Sequence, residues 1–204
     1  IAASIQKVTE EMVIKICKFI KKEYQAENLC LSGGVALNCV ANGKLKEEKI
    51  FKNIWIQPAS GDAGGSLGAA LAFNYNQLKS YRTVNSNDSM NGSYLGPSYT
   101  QTEIEEELNK MSAKFVTYNE NLLIERTVEF LSNGKAVGWF QGKMEFGPRA
   151  LGSRSILADP RNEHMQKNLN LKIKFRESFR PFAPSILEED INEWFDMNCK
   201  SPYM

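Results

Sequence analysis

Short β-branched or aromatic runs alternating with amphipathic helical patterns predict an α/β layer fold for this 204-residue sequence. Two successive strand, glycine-turn, helix units before residue 80 carry that prediction. A glycine-rich cationic loop leaving a strand end near residue 140 marks the candidate site. Thr9 reads as an N-cap with Glu10 and Glu11 in the first turn, and Met12, Val13, Ile16, Phe19 and Ile20 trace one face, predicting a helix over about residues 10–24. Residues 28–32 (NLCLS) form a strand, and Gly33-Gly34 turns it into a second helical pattern whose Val35, Ala36, Val40 and Leu45 face a sheet. The unit recurs as a strand at 53–57 (NIWIQ), a glycine-rich turn at 58–65 and an Ala/Leu helix at 66–75.

Between residues 79 and 93 the apolar periodicity gives way to Ser, Asn and Gly, a linker composition. The linker proper is placed at 81–92, between domains at 1–80 and 93–204. Beyond it, Thr100 and Glu103 form a capping-box pattern ahead of a helix to about Met111. A strand follows at 114–118, a helix at 121–132, a C-cap at Asn133-Gly134 and a buried strand at 135–140 (KAVGWF). Residues 155–158 read as a strand, and Asp159-Pro160 as the N-cap and first-turn proline of a helix to about Lys172. A last strand at 182–187 precedes a short helix with Trp194 and Phe195.

Composition narrows the function classes. With 25 basic and 24 acidic residues the net charge is +1, which argues against a domain-scale nucleic-acid footprint. No apolar run approaches the roughly 20 residues that span a bilayer, and the first residues lack the layout of a signal peptide, so a cytoplasmic protein without a membrane partner is expected. Cys17, Cys30, Cys39 and Cys199 show no CxxC spacing; no zinc site and no disulfide are expected, and three of them sit in apolar patterns that suit a buried thiol. His164 lies in a polar stretch and reads as a surface residue.

Against that neutral background the cations of residues 141–159 (QGKMEFGPRALGSRSILAD) are a local concentration. Lys143, Arg149 and Arg154 stand among Gly142, Gly147 and Gly152, where the backbone can approach a ligand and guanidinium forks suit phosphate or carboxylate oxygens. Lys174, Arg176 and Arg180 form a second basic group, and two such loops suit a polyanionic small molecule. Ser155 can add a hydroxyl donor, and Glu145 can orient an arginine or bind an amide of the ligand; with no histidine nearby it is not read as a general base. In the first domain Gly33 and Gly34 let a nucleotide lie against backbone amides, with Asn38 placed to bond ribose or base. Gly61, Gly64 and Gly65 permit phosphate approach.

Five segments together resemble the O-carbamoyltransferases of the nodulation and antibiotic-biosynthesis type: LCLSGGVALNCVANGKL (29–45), IQPASGDAGGSLGAAL (56–71), YLGPSY (94–99), WFQGKMEFGPRALGSRSILADPRN (139–162) and RESFRPFAPSIL (176–187). The resemblance implies the C-terminal part of an actin-like ATPase-fold, threonylcarbamoyltransferase-like domain over 1–80, followed by a YrdC-like, threonylcarbamoyl-adenylate-synthase-like α/β domain over 93–204, both truncated. It implies an enzyme that takes carbamoyl phosphate and ATP to carbamoyl-adenylate and passes the carbamoyl group to a hydroxyl of a small-molecule or sugar acceptor. Lys143, Arg149, Arg154, Lys174 and Arg176 then neutralise and position phosphates, with Lys174 and Arg176 matching the second domain's Lys-x-Arg pair. Asp62 matches a metal-ligand position, implying a divalent metal, iron or magnesium, in the full-length enzyme.

The sequence also departs from that pattern. It begins at Ile1 without the family's upstream half and its paired metal-binding histidines, and Lys143 stands where the family more usually has arginine. The expectation is a piece of a carbamoyltransferase with adenylate-forming loops mostly present and an incomplete transfer site. Two rivals are an actin-like-fold metabolite kinase using the two glycine turns, and a non-catalytic anion-binding module.

Overall fold

Cys17, Leu29, Leu45 and Phe51 close into the buried core of the first of two units, with Val13, Ile20, Leu31, Ile50 and Ile54 packed around them. The computed structural model describes residues 1–197 and 199–204, and the units are Ile1–Ser93 with Phe146–Arg149, and Tyr94–Glu145 with Ala150–Met204. Each is a mixture of helices and a two-stranded sheet, the mixed α/β character the sequence predicts. Among the described residues no helix is long and apolar enough to cross a membrane.

In the first unit α1 (Ala2–Tyr24) begins well before the predicted start. Thr9 does not cap it: its hydroxyl donates to the Ile5 carbonyl at 2.9 Å, inside the helix. Glu10 is buried instead of solvated, because Lys44 pairs with its carboxylate and Gln6 donates to it at 2.9 Å. The buried face runs through Val13, Cys17 and Ile20, while Met12, Ile16 and Phe19 of the predicted face are exposed. β1 (Asn28–Leu31) pairs in parallel with β2 (Asn53–Ile56), Asn28 opposite Asn53, and α2 (Cys39–Glu47) lies in the crossover that a parallel pair requires. A 3-10 turn over Gly34–Leu37 shifts the helical phase, so Ala36, Ala41 and Leu45 are buried while Val35 and Val40, expected to face the sheet, are exposed.

The helix α3 (Asp62–Ala72) starts four residues earlier than predicted, drawing Gly64 and Gly65 into it. Its first turn sits on Ala59: a Cβ at Gly64 would lie 2.1 Å from the Ala59 carbonyl oxygen, a distance no side chain tolerates. A π turn over Phe73–Gln77 ends this helical run, and residues 79–90 form no helix or strand before a tight turn at Asn91–Ser93 that buries Ser93.

In the second unit α4 (Gln101–Lys110) has the predicted capping box, the Glu103 N–H donating to the Thr100 hydroxyl at 3.3 Å and the Thr100 N–H to the Glu103 carboxylate at 2.7 Å. Asn119 caps α5 (Glu120–Ser132) by accepting the Leu122 N–H at 3.0 Å. β3 (Val137–Phe140) pairs antiparallel with β4 (Arg154–Leu157), Phe140 opposite Arg154. The strands expected at 114–118 and 182–187 do not form, since no neighbouring strand pairs with either among the described residues. Asp159 opens no helix. Its carboxylate accepts the Arg161 N–H at 2.9 Å and the guanidinium at 2.6 Å, fixing a local turn, so α6 (Met165–Asn168) starts later and passes into a π turn over Leu169–Ile173. α7 (Ile191–Trp194) carries the expected Trp194, with Phe195 just past its end. Of the cysteines only Cys17 is buried; Cys30 and Cys39, expected inside, are exposed, Cys30 because it occupies an outward position of β1.

Adjacent helical glycines separate packing from propensity. Gly64→Ala should destabilise the chain by about 1–3 kcal/mol through its clash with Ala59, whereas Gly65→Ala, with open space around it, should stabilise by roughly 0.5–1 kcal/mol. Urea denaturation midpoints of the two variants read the opposite signs.

Candidate functional site

The parallel pairing of β1 and β2 brings the glycine turns that follow them into contact, the Gly33 N–H donating to the Ser60 carbonyl at 2.8 Å. Residues 146–149 belong to the same unit. Gly147 holds φ +116°, and a Cβ there would stand 3.1 Å from the Ala59 side chain, so only glycine takes this backbone without strain or displacement. Arg149, half-buried, donates one guanidinium bond to the Leu37 carbonyl at 3.1 Å. Of the predicted residues, Gly33, Gly34, Gly61, Gly64 and Arg149 therefore share one neighbourhood.

Asn38 lies there too, but its amide is already engaged. Its Oδ1 accepts the Ala41 N–H and the Gln6 amide, both at 3.1 Å, and its Nδ2 donates to Gln6 Oε1 at 2.9 Å. A nucleotide would have to displace Gln6 to use it. Asp62 is exposed in the first turn of α3, beside Gly65, where an acid complements the positive helix end. Among the described residues no three His, Cys, Asp or Glu side chains converge into a metal-holding group, so the residues present do not fit a metal by themselves.

In the second unit the cationic loop is organised by Glu145, whose side chain is fully buried. One carboxylate oxygen accepts the N–H groups of Leu151 at 2.8 Å, Ser153 at 2.7 Å and Arg154 at 3.1 Å, and the other accepts Arg154 Nε at 3.3 Å. Burial pushes the Glu145 carboxyl up, but the backbone donors outweigh it and hold the group at about 2. Ser155 serves the same loop, its hydroxyl accepting the Gly152 N–H at 3.0 Å. Lys143 is exposed. The YLGPSY segment braces the loop from outside: the Gly96 N–H donates to the Met144 carbonyl at 2.9 Å, the Met144 N–H to the Pro97 carbonyl at 3.0 Å, and the Tyr94 hydroxyl to the Leu151 carbonyl at 2.6 Å.

The second basic group is built separately, and among the described residues no hydrogen bond or ion pair joins it to the 143–155 loop. Arg176 is half-buried, its Nε donating to Asn170 at 2.6 Å and its guanidinium lying 4.9 Å from the Phe182 ring centre. Lys174 is exposed, and Arg180 pairs with Glu177 at 3.0 Å. Sequence reasoning missed Tyr94 and Asn170. For Asn170 a signal existed, a polar residue next to Leu169 in a run whose neighbours are apolar.

Residues 1–71 match the family described as carbamoyltransferase N-terminus, and residues 128–204 the family described as carbamoyltransferase C-terminus. The chain is 55% identical over 206 residues to an uncharacterized protein of Synechocystis sp., covering 100% of this chain and 34% of that protein. It is 40% identical over 198 residues to nodulation protein NolO of Bradyrhizobium diazoefficiens (97% of this chain, 35% of NolO). To nodulation protein U of Sinorhizobium fredii it is 35% identical over 179 residues (88% and 29%). The chain thus spans about one third of the length of these relatives.

Glu145 gives a test of the loop. Glu145→Ala strands three backbone donors and should cost roughly 3 kcal/mol, read by denaturant unfolding at pH 7. The carboxyl titrates lower folded than unfolded, so its contribution is complete above the unfolded value near 4.5 and is lost as pH falls toward about 2. The gap between wild type and variant should therefore stay constant from pH 7 to about 5 and narrow below that.

Proposed function

The chain belongs to the carbamoyltransferase family, and from that premise we propose that it is the part of an O-carbamoyltransferase that binds phosphates and forms a carbamoyl-adenylate. The observation that carries the reading is the Glu145-held loop, which combines an anchored Arg154 with an exposed Lys143 in a segment that the family match includes. The fold reading that goes with it is an actin-like portion followed by a YrdC-like portion, in a cytoplasmic enzyme acting on a hydroxylated small molecule.

The chemistry asks mainly for positioning. Carbamate, left when carbamoyl phosphate gives up its phosphate to water, attacks the α-phosphorus of ATP; a new P–O bond forms, the α–β anhydride breaks and pyrophosphate leaves. The acceptor hydroxyl then attacks the carbamoyl carbon, loses its proton and expels AMP. Charge builds on phosphate oxygens in the first step, so fixed cations lower its barrier. Lys143, Arg154, Lys174 and Arg176 are assigned to phosphate oxygens, and Arg149, tied to Leu37 between Gly34 and Asn38, to nucleotide held at the glycine turns. Arg180, shared with Glu177, takes a lesser part. Asp62 is assigned to the carbamoyl-transfer site of the longer enzyme as one metal ligand among others, where a bound metal would act as a Lewis acid.

In a chain of the relatives' full length that contains this segment, Arg149→Ala should lower carbamoyl-phosphate-dependent pyrophosphate release from ATP by at least about a hundredfold. Unchanged release would remove Arg149 from the mechanism, and release indifferent to carbamoyl phosphate in the unaltered enzyme would return the metabolite-kinase reading. Asp62→Ala should lower carbamoyl transfer and metal content while sparing pyrophosphate release. Equal loss of both partial reactions would refute that division.

A further inference from the structure

We infer that Asn170 is the positioning residue for Arg176 and sets the shape of the second basic segment as an anion-binding turn; the identity of the anion as a phosphate rests on the transferase reading. Asn170 is completely buried. It lies in the π turn Leu169–Ile173, where the Lys174 N–H reaches back to the Leu169 carbonyl at 2.9 Å and the Arg176 N–H to the Asn170 carbonyl at 3.0 Å. Such local widenings of a helix occur often at functional sites because they re-aim the residues that follow.

Both ends of the Asn170 amide are used, and on different jobs. Nδ2 donates to the carbonyls of Ser178 at 3.1 Å and Arg180 at 2.8 Å, drawing the returning strand of the turn against the helix. Oδ1 accepts Arg176 Nε at 2.6 Å. The guanidinium is thereby anchored at its inner nitrogen and lies over Phe182, and since no side chain or carbonyl among the described residues engages its two outer nitrogens, they can bind oxygens in a fork. Between Lys174 and Arg176, Phe175 adopts φ +49°, a left-handed conformation uncommon for an aromatic residue, and its side chain is 85% exposed. Backbone strain of that kind persists where the surroundings over-determine it, and here the hydrogen bonds of one buried amide supply the determination. The turn places Lys174 and Arg176 on either side of the strained residue, a two-cation arrangement that packing alone would not maintain.

The test is a double-mutant cycle on pyrophosphate binding by this chain, measured calorimetrically for wild type, Asn170→Ala, Arg176→Ala and the pair. Asn170→Ala is expected to weaken binding about tenfold, and the double variant to bind no more weakly than Arg176→Ala alone. As a control, losses from Asn170→Ala and Lys143→Ala should multiply, since no hydrogen bond connects them. In wild type the Arg176 Nε–H resonance should be sharp and slow to exchange, and in Asn170→Ala it should exchange with solvent. Should Asn170→Ala fail to fold, Asn170→Ser replaces it in both measurements with the same expectations. Independent, multiplying losses from Asn170 and Arg176, or a wild-type chain that does not bind pyrophosphate, overturn the inference. The transferase reading stands or falls separately, on carbamoyl-phosphate-dependent pyrophosphate release by the full-length enzyme.

Discussion

One buried carboxylate holds the segment on which the second unit's site depends. Between β3 and β4 the chain leaves the ladder after the Gln141 N–H has bonded the Ser153 carbonyl at 3.0 Å, and residues 142–152 have no strand partner for their backbone groups. Such groups must find acceptors or pay the full cost of desolvation. Glu145 supplies acceptors for Leu151, Ser153 and Arg154 at once. Burying a charge is unfavourable unless it is paired, and here three N–H dipoles and the Arg154 guanidinium compensate it together. The loop's shape, the start of β4 and the direction of Arg154 are therefore consequences of a single side chain.

The second basic segment solves a similar problem with a neutral residue, and the difference is chemical. The groups that bond the Glu145 carboxylate are all donors, so an acceptor-only side chain satisfies them. Around Asn170 two carbonyls need donors while Arg176 needs an acceptor, and only an amide offers both. An aspartate there would set a charge against the Ser178 and Arg180 carbonyls. The residue type at each position follows from which backbone groups the turn leaves unpaired.

That dependence also explains what could be read from sequence. Features fixed within a few residues were legible: the Thr100–Glu103 capping box, the C-terminal turn at Gly134 and the concentration of cations near glycine. Features fixed by distant partners were not. Glu10 looked like a first-turn acid until Lys44, far along the chain, is seen to pair with it; Asp159 is the local exception, a cap-like residue whose carboxylate Arg161, two residues on, occupies. The runs at 114–118 and 182–187 have strand-like residues but, among the described residues, no neighbouring strand to pair with. At the site, residue type announced the cations, while burial of Asn170 and the multiple donors on Glu145 arise only once the turns are folded.

The way each cation is held bears on what it can do. Arg161 and Arg180 are themselves exposed and are engaged by local partners, Asp159 and Glu177, contacts that contribute little and that tie the guanidinium to a nearby carboxylate. Arg149 and Arg176 are held differently, each among the described residues by one hydrogen bond to a neutral oxygen, the Leu37 carbonyl or the Asn170 amide. A neutral acceptor fixes the direction of a guanidinium without cancelling its charge, and leaves most of its donors unspent. Electrostatic stabilisation of a developing anion requires that combination, a charge already oriented whose field is not neutralised by its own anchor. Arg154 is the intermediate case: Glu145 orients it but also offsets its charge, so its direct contribution to binding an anion should be the smaller and its part in closing the loop the larger.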